Sequence, residues 1–187
     1  MPRIILASGS PRRKELLSKL YDRFEIITSD VDESLPEGVL PIEGVEILSV
    51  RKGKAVADNL TPDSLVISSD TLVEIDNIPL GKPTSDDDAY RMLAMLSGRY
   101  HNVHTGVAVH YNGRVVSGVA TARVKFYELS DKEIWDYIHT GECSDKAGSY
   151  AIQGIGGRLV EGYEGGFDTI MGLSVELTEK LIKEICG

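Results

Sequence analysis

Short apolar runs alternate with segments of helical period along this 187-residue chain. That alternation is its strongest constraint on fold, because it calls for strands and helices in turn, the α/β class. Residues 3–8 (RIILAS) read as a buried strand, and Ser10-Pro11 then open a helix with Leu16, Leu17 and Leu20 on its apolar stripe. Residues 30–46 carry six acids and no base, with Pro36, Gly38 and Pro41, and read as a loop before a helix that runs to about Asn59. Residues 65–69 (LVISS) form a second buried strand, which 72–75 either continue or flank. From Ser85 to Gly98, Ala89, Met92, Leu93 and Leu96 fall on one helical face behind an N-cap serine and three aspartates. Asn112-Gly113 marks a hairpin between 103–111 and 114–127, and Ser130 with Glu133 forms a capping box for a helix ending near Gly141. The glycine-rich stretch 147–172 reads as strands and tight loops, and a last helix spans about Ser174 to Ile185. The expected architecture is a single domain over 1–187, a mixed twisted sheet flanked by helices.

Composition narrows the class of function. With 42% hydrophobic and 26% charged residues the chain suits a globular core, not disorder. The net charge of -9 argues against a broad nucleic-acid or anionic-membrane surface. No run of 18 apolar residues and no signal-peptide pattern occurs, so neither a membrane span nor secretion is expected. Cys143 and Cys186 are the only cysteines, expected as reduced thiols in the cytoplasm. The four histidines show no metal spacing, and no GxSxG elbow is present.

Several groups carry chemistry. In Ser8-Gly9-Ser10-Pro11-Arg12-Arg13 a strand ends, small residues turn, and a helix begins with two guanidiniums. Free N–H groups and forked Arg donors there favour an anion such as phosphate. A capped helix with solvated arginines explains the same residues. Asp70, in Ser68-Ser69-Asp70-Thr71, closes an apolar strand, where α/β folds place ligands. It suits a Mg²⁺ ligand or a water-orienting base, or else a turn residue bonding its own backbone. Lys82, between Gly81 and Pro83, suits a phosphate contact or an ordinary loop. Arg51, Lys52 and Lys54 lie on a helix and read as a basic group or a solvated face, and Asp32 and Glu33 as ligands or solubilising charge. Together, Arg12, Arg13, Lys52 and Lys82 with Glu33 and Asp70 match a nucleoside triphosphate and its Mg²⁺.

The sequence then resembles a known family. SGSPRRKELL (8–17), Asp32-Glu33, Leu48 to Lys52, SSDTLV (68–73), LGKP (80–83), AYRMLAMLSG (89–98) and HTGVAV (104–109) occur in the order of the Maf nucleoside triphosphate pyrophosphatases. LSDKEI (129–134), GECSDKAGSYAIQG (141–154) and VEGYEGGFDTIMGL (160–173) complete the match. The resemblance implies a Maf/ITPase-like fold with a deep cleft, often dimeric, that splits the α–β phosphoanhydride of triphosphates. It implies a divalent cation, Mg²⁺ ahead of Mn²⁺ or Co²⁺, and the family's first description as inhibitors of septum formation. Residue by residue, it implies Asp70 as proton acceptor and metal-side carboxylate, Glu33 as a second acid at the metal, and Ser8, Arg13, Lys52 and Lys82 on the phosphates. Arg12, Thr71 and Gln153 match the base-selecting positions and resemble the dTTP/UTP subgroup, whose pyrimidine edge suits a Gln amide. The sister preference for 7-methyl-GTP, an ITP- or XTP-directed enzyme and a nucleotide-binding regulator with little turnover are the alternatives. Ser49 and Gly53 depart from the family's Ala, Ala120 stands near its usual acid, and Gly166 replaces its Asp.

Overall fold

A computed structural model describes residues 2–187. In chain order the elements are β1 (Arg3–Leu6), α1 (Pro11–Leu17), β2 (Glu25–Ile26), α2 (Pro41–Ala57), β3 (Ser64–Ile75) and β4 (Ile78–Leu80). There follow α3 (Asp86–Leu96), β5 (Tyr100–Tyr111), β6 (Arg114–Phe126), α4 (Asp131–Ile138), β7 (Val160–Glu164), α5 (Phe167–Met171) and α6 (Val175–Cys186). Three short 3₁₀ turns occupy 142–145, 147–149 and 155–159. The strands order as β2-β1-β3-β5-β6-β7, with β4 on β3. β1 pairs parallel to β2 and β3, whereas β4 on β3 and β7 on β6 are antiparallel, so the sheet is mixed as expected.

The chain divides into two compact units. The first takes the residues up to Thr71, Thr105–Ala120 and Gly172–Gly187. Its core joins Ile5, Ala7, Val56 and Val66, so α2 lies on β1 and β3. Two glycines set how closely α2 approaches the strands. A Cβ on Gly106 would run into the backbone of Val45 and Glu46, and one on Gly53 would stand 2.6 Å from the His110 ring. Gly53, which costs helix propensity, is thus a packing requirement here: Ser68 and His110 fill the space a methyl would need.

The second unit takes Leu72–His104 and Thr121–Met171. Its core packs Leu93 and Leu96 of α3 with Ile134, Tyr137 and Ile138 of α4 against Val73, Val103, Val124 and Phe126. The caps work as the sequence indicates. Ser85 Oγ accepts the Asp88 N–H, and Ser130 and Glu133 bond reciprocally. Asp88 also takes the Thr84 N–H and pairs with Arg91, so the aspartate run serves the helix start. Asn112 and Gly113 both adopt positive φ, 48° and 71°, as a two-residue hairpin requires.

Three expectations need correction. α2 begins at Pro41, inside the stretch read as loop, because Pro occupies the first turn and Glu43 turns back to the Leu40 N–H. β3 is one continuous strand through Ile75, so Asp70 lies within it, not at its end. The glycine-rich 147–172 holds two 3₁₀ turns and α5, with β7 as its one strand among the described residues. Among the described residues no helix is long and apolar enough to cross a membrane.

Candidate active site

β3 presents alternate residues to opposite sides, and the site residues of the first unit follow that alternation. β1 pairs with β3 as far as Ile67, and the Ala7 N–H closes the ladder on the Ile67 carbonyl at 2.8 Å. Ser68 to Thr71 extend beyond that partner, which is how a strand tolerates Asp70 in its middle. Ser68 and Asp70 face α2: Ser68 Oγ donates to the Ser49 carbonyl at 2.7 Å, and Asp70 Oδ1 meets Lys52 Nζ at 2.5 Å. Ser69 and Thr71 face the other way, toward Gly172 and Arg13: Ser69 Oγ donates to the Gly172 carbonyl at 2.9 Å.

Lys52 is the centre of the first group. The same ammonium lies 2.9 Å from Glu33 Oε1, so one cation joins both predicted metal-side carboxylates. Lys52 and Asp70 are largely buried, while Glu33 is exposed. The loop carrying Glu33 is itself secured: Arg51 donates to the carbonyls of Asp32 and Ser34, and the Asp32 carboxylate takes both the N–H and hydroxyl of Ser34. Those Ser34 bonds hold the Asp32 carboxyl below its usual range. Arg51, read from sequence as part of a basic run, is the fastening of this loop; Lys54 keeps the solvated role, paired with Asp58 one turn along.

Arg13 is the centre of the second group. Its guanidinium donates to the Gly172 carbonyl at 2.9 Å, to Ser8 Oγ at 3.3 Å and to Thr71 Oγ1 at 3.3 Å. Of its five N–H donors two remain for a ligand. Burial lowers its pKa, the Asp70 charge opposes that, and Arg12 adds to the lowering; an Arg guanidinium stays charged regardless. Thr71 Oγ1 also meets Thr105 Oγ1 at 2.9 Å, so this predicted base-selecting hydroxyl is engaged by its own unit. Ser8 accepts the Ser10 N–H as well. α1 has seven residues and Ser10 makes no side-chain cap, so anion affinity here rests on the guanidiniums, not on a long helix dipole. Arg12, half-buried, begins the same helix.

Lys82 and Gln153 belong to the second unit. Lys82 is exposed in the loop after β4, where the Gly148 N–H bonds the neighbouring Gly81 carbonyl at 3.0 Å. Gln153 is exposed on the turn before the 3₁₀ segment at 155–159.

The donor set can be tested against a metal. Among the described residues no cluster of three or more His, Cys, Asp and Glu forms a metal cage. Asp70 and Glu33 supply two carboxylates, which fits Mg²⁺, an ion bound through one or two carboxylates together with water and substrate phosphates. His101 and His104 take other partners: His101 meets the Tyr150 hydroxyl, and His104 meets Thr121 and Glu74.

The sequence profile of the family described as Maf-like protein matches residues 3–185. The chain belongs to the Maf family. Named relatives agree. A dTTP/UTP pyrophosphatase of Geobacillus sp. (strain WCH70) is 44% identical over 186 residues, covering 99% of both chains. One from Thermococcus onnurineus is 45% identical, covering 95% of both chains. One from Moorella thermoacetica is 47% identical, covering 97% of this Maf chain and 94% of that relative. Among solved structures, the Staphylococcus aureus Ham1 protein superposes with a TM-score of 0.51 at 17% identity, covering 98% of this chain and 95% of that one. That likeness concerns the fold alone.

Proposed function

We propose that this Maf protein hydrolyses dTTP and UTP to the monophosphate and pyrophosphate. The observation that carries the reading is the paired arrangement in the first unit: Lys52 between Glu33 and Asp70, and Arg13 held by Gly172, Ser8 and Thr71. An acidic protein that fixes two cations beside two carboxylates has the groups a short polyanion and its counter-ion need. Relatives sharing 44–47% of their residues are named for dTTP and UTP.

The chemistry assigns a task to each group. Arg13, Lys52 and Lys82 take phosphate oxygens, with Ser8 beside Arg13. Asp70 accepts the proton of the attacking water as the new bond forms at the α-phosphorus, and the α–β bridging oxygen leaves with pyrophosphate. Asp70 and Glu33 would hold a divalent cation, whose charge would offset that on the phosphates. Lys52 already holds Asp70 Oδ1, so the proton goes to Oδ2. Arg12, Thr71 and Gln153 select the base. Positioning and electrostatics supply most of the rate in such a site. Mg²⁺ as the ion, the cytoplasm as compartment and a homodimer as the working form go with this reading.

The test is a panel of canonical and modified triphosphates, with and without Mg²⁺, with both products identified. The reading expects dTTP and UTP to be turned over fastest, pyrophosphate as co-product, and activity lost on chelation. Equal turnover of purine triphosphates, or release of orthophosphate, contradicts it.

A further inference from the structure

The turn that carries Gln153 is fastened from beneath by a side chain to which no role has been given. Glu142 lies in the 3₁₀ turn at 142–145, and its carboxylate receives three donors. Oε1 takes the Ile155 N–H at 2.8 Å; Oε2 takes the Gly156 N–H at 2.8 Å and the Tyr137 hydroxyl at 2.9 Å. The Tyr137 oxygen in turn accepts the Ala151 N–H at 3.3 Å. Backbone on both sides of Gln153 is therefore tied to one anchor, Ala151 before it and Ile155 and Gly156 after it. Gly154 completes the fit: a Cβ there would lie 2.7 Å from Glu142 Cδ, so the residue next to Gln153 must lack a side chain for the carboxylate to reach the turn.

The anchor is built into the core. Tyr137 is 4% exposed, on the α4 face that packs the second unit. Burial and the Glu142 carboxylate both push the Tyr137 hydroxyl to a higher pKa, so it remains a donor. Burial also raises the Glu142 carboxyl, but the bonds from Gly156, Ile155 and Tyr137 outweigh it and leave it below its usual range. Bonds to an ionised carboxylate are stronger than neutral ones, so these three donors hold the turn firmly to Glu142.

The chemistry of Gln153 explains the need. A primary amide has a donor end and an acceptor end. Thymine and uracil offer a ring N–H beside a carbonyl, whereas cytosine offers a ring nitrogen acceptor beside an amine. An amide on a loose turn can rotate to satisfy either edge. Choosing between them needs the backbone beneath it fixed. We propose that Glu142 is a positioning residue for base selection, holding the 151–156 turn so that Gln153 meets thymine or uracil in preference to cytosine. This rests on the assignment of Gln153 to the base.

The experiment measures kcat/KM for dTTP and for CTP in the wild type, Gln153→Ala, Glu142→Gln and the double variant, with thermal unfolding of each. Glu142→Gln replaces a carboxylate oxygen by an NH₂ group facing an N–H donor, so the turn loses a tie. The dTTP-over-CTP ratio is expected to fall about tenfold in each single variant, the scale of one hydrogen bond lost. The double variant is expected to fall no further than Gln153→Ala, because both act through one amide. A ratio unchanged in Glu142→Gln while Gln153→Ala loses it, or two losses that multiply in the double variant, overturns the positioning role. A ratio unchanged in Gln153→Ala overturns the base assignment itself, and the role of Glu142 with it. Should Glu142→Gln not fold, Tyr137→Phe, which removes the hydroxyl joining Glu142 to the Ala151 N–H, is subject to the same outcomes.

Discussion

Asp70 and Lys52 face each other at 2.5 Å, and the exchange of one atom separates charge from shape there. Asp70→Asn keeps the volume and removes the proton acceptor. We expect kcat/KM to fall by about 10²–10⁴, the usual contribution of a general base, with thermal unfolding little changed. A fully active Asn variant removes Asp70 from the mechanism. His101 allows a second test, in stability. Burial lowers its pKa to about 4 from 6.5, with the Glu74 charge opposing, and its Nδ1 has no hydrogen-bond partner among the described residues. The unfolded chain therefore binds a proton that the folded chain refuses between pH 6.5 and about 4. Stability is complete above pH 6.5 and falls as pH drops through that window, by on the order of 3 kcal/mol for this group. His110, its pKa also lowered by burial, acts in the same direction. Urea unfolding of His101→Leu across pH 4–7 should show a slope shallower by about one proton. An unchanged slope removes His101 as a source of acid sensitivity.

Most short-range caps and turns were legible in the sequence, the α2 start at Pro41 excepted, and contacts with distant partners were not. Ser85, the Ser130–Glu133 pair and Asn112-Gly113 act within a few residues, and the structure uses each as read. The β3–β4 turn was not visible because Asp76 and Asn77 adopt positive φ without a glycine to announce it. β2, two residues long, carries no period to detect. The site residues stood out by type, but their fastenings did not: the Arg13–Gly172 bond joins residues 159 apart in sequence. Gly53 shows how packing reverses a local reading. Alanine there gains about 1 kcal/mol of helix propensity, yet its Cβ meets Ser68 and the His110 ring. Overpacking of this kind costs about 1–3 kcal/mol, so Gly53→Ala should lower Tm. In a His110→Ala background that penalty should shrink. An undiminished penalty would place the clash on Ser68 and not on His110, and a raised Tm in Gly53→Ala would mean that α2 moves outward at no cost.

For the whole molecule, fold class and family follow from motifs spread along the chain, and the profile match over 3–185 agrees. The unit boundaries were not legible, because each unit is assembled from separated segments: Thr71 is followed in the first unit by Thr105, and Ala120 by Gly172. The likeness to dTTP/UTP pyrophosphatases concerns the reaction as a whole, and so does its most direct test. In the proposed reaction water attacks the α-phosphorus. Hydrolysis of dTTP in ¹⁸O-labelled water, with both products weighed by mass spectrometry, reports which phosphorus the water reached. One ¹⁸O in dTMP and none in pyrophosphate is the predicted result. Label in the pyrophosphate, or dTDP with labelled orthophosphate, would contradict it.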